Sequence, residues 1–271
     1  MSNTTEPTTF AFDPATLTPI AETLHPSFVS AQPFSHAVID GLLPDAVLDA
    51  VLDEFPEPEQ VPWQTFDQAT EVKLALADTT QMGVATRNLF AECNGHVFID
   101  FLEQLTGITG LIPDPHYSGG GLHQIRQGGF LKVHADFNRN KRLQLDRRLN
   151  VLIYLNRDWN ESYGGNLELW NLDMTAAEQT VAPVFNRLVV FATTSTAYHG
   201  HPDPLTCPTD RARRSIALYY YSNGRPSVEV ERAHSTLFQA RPGEVVRRSA
   251  RDSLRRWVPE PIRDWVGSRR R

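Results

Sequence analysis

His134-Ala135-Asp136 sets an imidazole and a carboxylate two residues apart, and His199 and His201 supply two more imidazoles downstream. Alternate residues of an extended strand share a face, so His134 and Asp136 would point the same way. One further imidazole, from His199 or His201, completes a set of two nitrogens and one carboxylate. Such a set covers one face of an octahedral ferrous ion and leaves the other positions open. No thiolate belongs to the group, which argues against a structural zinc site. A His-x-Asp pair on its own is common, so the reading needs a second constellation that would hold a reactant.

Arg213-Arg214-Ser215-Ile216-Ala217-Leu218-Tyr219 begins 14 residues after His199 and has strand character. Alternation puts Arg213, Ser215, Ala217 and Tyr219 on one face and Arg214, Ile216 and Leu218 on the other. A keto acid such as 2-oxoglutarate chelates iron through one end and leaves a distal carboxylate to be neutralised. The planar fork of arginine matches a carboxylate, and a hydroxyl in line with it adds a donor. The competing reading is a surface cluster of salt-bridging arginines. Asn138, Arg147 and Arg148 follow the first two candidate ligands and would either clamp a polar substrate or sit solvated in a loop. His36 and His123 read as structural. Gly119-Gly120-Gly121 reads as a turn, because no Lys-Ser/Thr follows it as in a phosphate loop.

The elements that would position these groups divide the chain. Residues 1–30 show no sustained periodicity and are expected to be a partly ordered N-terminal arm. Residues 31–110 read as a helical support region. In it, Val47, Leu48, Val51, Leu52 and Phe55 draw one apolar stripe, stopped by Pro56 and Pro58, and a second helical stretch runs from about Val84 to Leu105 with an interruption at Asn94-Gly95. From 111 to 225 the pattern changes to short apolar runs between Gly, Pro, Asn and Asp clusters, at 121–125, 130–136, 149–155, 166–170, 188–192 and 215–221. Runs of that number and spacing predict a mainly β fold with flanking helices, a jelly roll or sandwich, as one catalytic domain. Residues 226–271 form a basic C-terminal segment, with nine arginines from Arg247 onward and with Trp257 and Trp265 between them. It reads as a helix docked by its aromatic side.

The 271 residues carry a net charge of −6, 41% hydrophobic residues and only two cysteines, Cys93 and Cys207, too few for a disulfide framework. No window is apolar enough to span a membrane, and Met1 to Phe12 lack the pattern of a secretory signal. A cytoplasmic location with reduced thiols is the expectation, and a nucleic-acid partner is not expected despite the basic tail.

Several motifs in order carry a family resemblance: His134-x-Asp136, His199, and Arg213-x-Ser215. Between them lie Val151-Leu152-Ile153-Tyr154-Leu155-Asn156-Arg157-Asp158-Trp159, Gly164-Gly165-Asn166-Leu167-Glu168-Leu169 and Pro183-Val184-Phe185-Asn186-Arg187-Leu188-Val189-Val190-Phe191. Over about 121–222 the chain resembles the prolyl 4-hydroxylase-like family of Fe(II)- and 2-oxoglutarate-dependent oxygenases, in particular the hypoxia-type and ribosomal-protein prolyl hydroxylases. Pro33 to Asp40 fit that family's first strand. The resemblance implies a double-stranded β-helix (jelly roll, cupin-like) with His134, Asp136 and His199 as iron ligands. His199 is preferred to His201 because it lies eight residues after Phe191, as in the family. Arg213 and Tyr154 would bind the distal carboxylate of 2-oxoglutarate, Ser215 would add a donor, and Tyr219 would line the pocket. The implied cofactors are Fe(II), 2-oxoglutarate and O2, with L-ascorbate as a stimulant. Gln124 stands where hypoxia-type enzymes have a tyrosine near the cosubstrate, and the loop from His201 to Pro208 is longer and richer in proline.

The implied reaction hydroxylates an unactivated C–H bond, with release of succinate and CO2. Halogenating relatives have a small residue at the carboxylate position, so Asp136 favours hydroxylation. The substrate expected is a prolyl or other residue of a protein or peptide. A free amino acid or small metabolite is the rival substrate, and a non-catalytic cupin-like metal-binding protein is the rival class. The carboxylate clamp argues against the last, since a mere metal binder needs none. The oligomeric state cannot be read from the sequence.

Overall fold

A computed structural model describes residues 10–230 and 232–244. The helices are α1 (Pro14–Ser30), α2 (Asp45–Asp53), α3 (Val84–Cys93) and α4 (His96–Thr106). The strands are β1 (His36–Asp40), β2 (Gln64–Gln68), β3 (Glu71–Leu76), β4 (Ile112–Pro113), β5 (Gly121–Arg126), β6 (Phe130–Ala135), β7 (Arg139–Asn140) and β8 (Leu145–Tyr154). They continue with β9 (Leu167–Trp170), β10 (Ala177–Val181), β11 (Arg187–Ala192), β12 (His199–His201), β13 (Ala212–Ser222) and β14 (Leu237–Phe238).

All these strands join one antiparallel sheet, ten of them in the order β1-β11-β8-β13-β5-β3-β6-β12-β9-β10, with β14 on β6, β2 on β3, β4 on β13 and β7 on β8. The sheet curls until elements distant in that order meet. Phe191 on β11 packs edge-on to His199 on β12, with ring centroids 4.6 Å apart, and Arg213 on β13 donates to the carbonyl just before β9. The result is a nearly closed, barrel-like jelly roll, as the resemblance implies.

Pleating gives the central strands two distinct faces. Leu149, Val151 and Ile153 of β8, Ile216, Leu218 and Tyr220 of β13, and Leu188 and Val190 of β11 turn outward and bury against the helices. Leu152, Tyr154, Val189 and Phe191 turn inward, where they meet Leu167, Leu169 and Val181. The outer layer is therefore a support, and the inner layer is the site.

Two expectations need correction here. Residues 14–30 are a helix and not a partly ordered arm. Asp13 caps its first turn, Pro14 sits where a missing N–H is harmless, and Leu17, Ala21 and Phe28 bury one side against the core. Pro19 and Pro26 inside the helix obscure its signature. The region 31–110 is also not purely helical, because β1, β2 and β3 join the sheet, with β1 on β11 and β3 bridging β5 and β6. The long helical stretch breaks at Asn94-Gly95 into α3 and α4, and each of the six apolar runs overlaps a strand. The basic helix expected around Trp257 and Trp265 lies outside the described residues. No described helix is long and apolar enough to cross a membrane.

Phe98 of α4 ties the helical layer to the sheet. Its ring is buried and lies 4.4 Å from Phe12, 5.7 Å from Phe101 and 6.2 Å from Tyr220 of β13. Phe98→Ala removes that joint and leaves a cavity that neighbouring rings cannot fill. It should lower the unfolding free energy by about 3–5 kcal/mol, as measured by chemical denaturation. A loss below about 1 kcal/mol would mean that the helical layer does not depend on this contact.

Candidate active site

His134 is the penultimate residue of β6 and His199 begins β12, and antiparallel pairing sets the two directly opposite each other. Their rings lie 4.4 Å apart. Asp136, one residue beyond β6, brings Oδ1 to 3.6 Å from His134 Nε2 and Oδ2 to 3.4 Å from His199 Nε2. One donor atom from each of the three lies within 4.8 Å of the others. Both rings are oriented from behind, since His134 Nδ1 donates to the Lys132 carbonyl at 2.9 Å and His199 Nδ1 donates to the Ala197 carbonyl at 3.0 Å. Each Nε2 is thereby left as a lone pair facing its partners, the tautomer a metal requires. Burial, His134 and Arg147 push His199 down to about 4, with Asp136 opposing, so it is neutral near pH 7.

The carboxylate is fixed as well. Asn150 of β8 donates from Nδ2 to Asp136 Oδ2 at 2.6 Å, and Arg147 Nη2 pairs with the same oxygen at 3.1 Å. Burial alone would raise the Asp136 pKa, but Arg147, His199 and His134 outweigh it and hold the carboxyl well below its usual range. Arg147 is itself buried, bonds Asn150 Oδ1 through Nε at 3.0 Å, and stacks on the Tyr219 ring at 3.5 Å. Two imidazoles and an ionised carboxylate with converging free donors fit a ferrous ion, with the remaining coordination positions open. His201, the rival third ligand, is buried but outside this group.

Deeper in the barrel lies a second polar group. Arg213 is buried; its Nε donates to the Gly165 carbonyl at 2.7 Å and its Nη2 to the Tyr154 hydroxyl at 3.1 Å. Burial lowers its pKa and Tyr154 opposes the shift, but among the described residues no carboxylate pairs with the guanidinium. Gly165 makes room for it. A Cβ there would lie 2.5 Å from Leu205 Cδ2 and 3.0 Å from Arg213 Cδ, and φ is +75°, a backbone that favours glycine. Ser215 stands between Tyr154 on β8 and His123 on β5 in the sheet register. A cation shielded from water and lacking a counter-charge suits an anionic ligand, so this end of the barrel fits a dicarboxylate whose other end reaches the metal.

All six candidate residues, His134, Asp136, His199, Tyr154, Arg213 and Ser215, thus fall on or beside the inner face. Tyr219 lies next to Arg147, as a pocket-lining residue would. Gln124 does not stand near the cosubstrate end. It pairs in register with Arg214, which turns outward to Glu57 and the Phe55 ring, whereas its neighbour His123 faces inward beside Ser215. Asn138, Arg147 and Arg148 are neither free clamps nor solvated. Asn138 holds the backbone of Arg232 and His234, and Arg148 bonds Ser222 and Glu229. The segment they help to seat continues as β14 along β6, where Phe238 lies 5.5 Å from the His134 ring. Asn150 is a site residue not singled out from the sequence, although alternation with Leu152 and Tyr154 on one strand marks its face.

Residues 120–221 match the 2OG-Fe(II) oxygenase superfamily. No curated protein sequence matches the chain. Among solved structures, the chain is similar to a Trichoplax adhaerens prolyl hydroxylase in complex with a hypoxia inducible factor peptide fragment. There the identity is 18% and the TM-score 0.56, with 82% of this chain and 96% of the other covered. It is also similar to a prolyl 4-hydroxylase from Phytophthora capsici, at 20% identity and a TM-score of 0.51 over 81% of this chain and 69% of the other. HygX from Streptomyces hygroscopicus, solved with nickel, 2-oxoglutarate and hygromycin B, aligns at 11% identity and a TM-score of 0.50 over 78% of this chain and 95% of the other. Residues 120–221, the stretch that matches the 2OG-Fe(II) oxygenase superfamily, hold the converging His-Asp-His donors and the buried arginine, on a jelly roll shared with prolyl hydroxylases.

Proposed function

We propose that His134, Asp136 and His199 hold Fe(II), that Arg213 and Tyr154 bind the distal carboxylate of 2-oxoglutarate with Ser215 beside them, and that the enzyme hydroxylates a residue of a protein or peptide, proline first. The observation that carries the cosubstrate reading is Arg213, a buried cation with neutral partners and, among the described residues, no counter-charge, on the same inner face as the three candidate metal donors. The peptide reading is supported by the jelly roll shared with a prolyl hydroxylase that binds a peptide fragment.

Bound iron and 2-oxoglutarate supply the oxidation: O2 is consumed, 2-oxoglutarate becomes succinate and CO2, and one oxygen atom enters a substrate C–H bond. The chain's own residues supply geometry and charge. The Lys132 and Ala197 carbonyls fix the two imidazoles, and Asn150 and Arg147 fix the carboxylate. Arg213 and Tyr154 orient the cosubstrate from its far end, so the reacting end meets the metal in one arrangement. The inward apolar side chains Leu152, Val189 and Phe191 exclude water from the chamber between.

The assignments separate by binding. His134→Ala, Asp136→Ala and His199→Ala should each abolish stoichiometric metal binding and succinate release, while Arg213→Ala should keep the metal and weaken 2-oxoglutarate roughly 30-fold or more, as loss of a desolvated charge pair implies. Calorimetric titration of Mn(II) and then of 2-oxoglutarate under anaerobic conditions reads both. Metal retained by the ligand variants, or 2-oxoglutarate bound normally by Arg213→Ala, would defeat the assignments.

The substrate class is tested by incubating prolyl peptides, free amino acids and small metabolites in parallel with the iron-loaded enzyme. Peptides should raise succinate formation and gain a single oxygen atom by mass spectrometry. Turnover confined to a free amino acid or metabolite would refute the peptide reading and leave the iron chemistry standing.

A further inference from the structure

His201 is buried, and among the described residues neither Nδ1 nor Nε2 has a partner. His134 and His199 each tether one ring nitrogen to a backbone carbonyl and keep the other for the metal; His201 does neither. A structural histidine in a barrel wall normally satisfies at least one nitrogen, because a buried polar atom left unpaired is destabilising. The unpaired state therefore points to a ligand that this pair of atoms awaits.

The surroundings say which kind. The charged and ionisable groups acting on His201 are Arg213 first, then Lys73, His134 and His123. His199 pairs with the inward Leu169, so alternation along β12 returns the His201 ring to that inner face, and Lys73 near it is paired with Glu71 at 3.0 Å. The His201 imidazole, like any other, always carries at least one N–H that can donate. Its position is held by backbone packing: a Cβ at Gly200 would come within 2.8 Å of the Leu131 carbonyl and 3.0 Å of the Lys132 carbonyl, so β12 lies pressed on β6. A second orphan faces the same space, His123 Nε2, on the residue opposite Ser215.

We propose that His201 is a cosubstrate-binding residue, its imidazole N–H donating to the carboxylate that Arg213 pairs with. The inference rests on the reading of Arg213 given above, and it assigns the second histidine of His199-Gly200-His201 a role distinct from metal ligation. A three-donor cradle of guanidinium, phenol and imidazole fixes the orientation of the distal carboxylate as well as its charge.

The test is anaerobic calorimetry of 2-oxoglutarate into the Mn(II)-loaded full chain. His201→Phe keeps the ring shape and removes the donor; it should weaken 2-oxoglutarate roughly tenfold or more, the size expected for a hydrogen bond to a charged group, with Mn(II) affinity unchanged. His201→Asn, which keeps an N–H donor, should recover part of that loss, and it carries the test if the phenylalanine variant does not fold. In the Zn(II)-loaded wild-type protein labelled with 15N-histidine, 2-oxoglutarate should shift the imidazole signal that His201→Asn removes. Wild-type 2-oxoglutarate affinity in His201→Phe, or an unmoved His201 signal, would overturn the proposal. So would loss of Mn(II) binding in both variants, which would make His201 a ligand. Arg213→Ala is the control. If it too binds 2-oxoglutarate normally, the fault lies in the cosubstrate reading and not in His201 alone.

Discussion

Burying a guanidinium without a counter-charge is a large desolvation penalty, and much of the inner architecture can be understood as tolerating it. Arg213 is kept inside by two neutral acceptors, the Gly165 carbonyl and the Tyr154 hydroxyl. Gly165 has to be glycine for its carbonyl to approach with Arg213 packed against its Cα. Tyr154 has to face inward, which fixes the phase of β8 and so turns Leu149, Val151 and Ile153 toward the helices. The strand phase that serves the arginine is the same one that builds the supporting core. An anion bound at Arg213 would relieve the penalty, which is why the proposed dicarboxylate site falls there.

The opposite end of the chamber follows the same logic with the sign reversed. Asp136 is a buried carboxylate, and Arg147 and Asn150 stabilise its charge and fix its plane. The backbone sets the orientation of both imidazoles. The proposed metal ligands, held this way, need little rearrangement on binding. Arg147 leans on Tyr219, so β13 contributes to both ends: Arg213 near its start and Tyr219 six residues on.

Much of this was legible in the sequence, and the reasons for success and failure are specific. Alternation alone separated Arg213, Ser215 and Tyr219 from Ile216 and Leu218, because a pleated strand enforces period two. The helices at 45–53 and 84–106 stood out because their apolar stripes bury on one side. Helix α1 did not, since two internal prolines and a weak stripe mask a helix stabilised mainly by docking on α4. The hairpin of β2 and β3 was missed because Gln64–Gln68 is polar and largely exposed, with pairing and not burial holding it. Counting back from His134 gave Gln124, whereas pairing of β5 with β13 sets His123 on the inner face. A one-residue slip exchanges the two faces of a strand, and only the partner strand fixes the phase.

The central claim is that metal and dicarboxylate occupy one chamber and contact each other. Affinities of the full-length enzyme for 2-oxoglutarate, measured anaerobically with and without Mn(II), test it most directly. A shared site requires reciprocal coupling: Mn(II) should tighten 2-oxoglutarate by roughly tenfold or more, and 2-oxoglutarate should tighten Mn(II) by the same factor. Equal 2-oxoglutarate affinity in the two conditions would contradict the account, because it would place the two ligands at sites that do not touch.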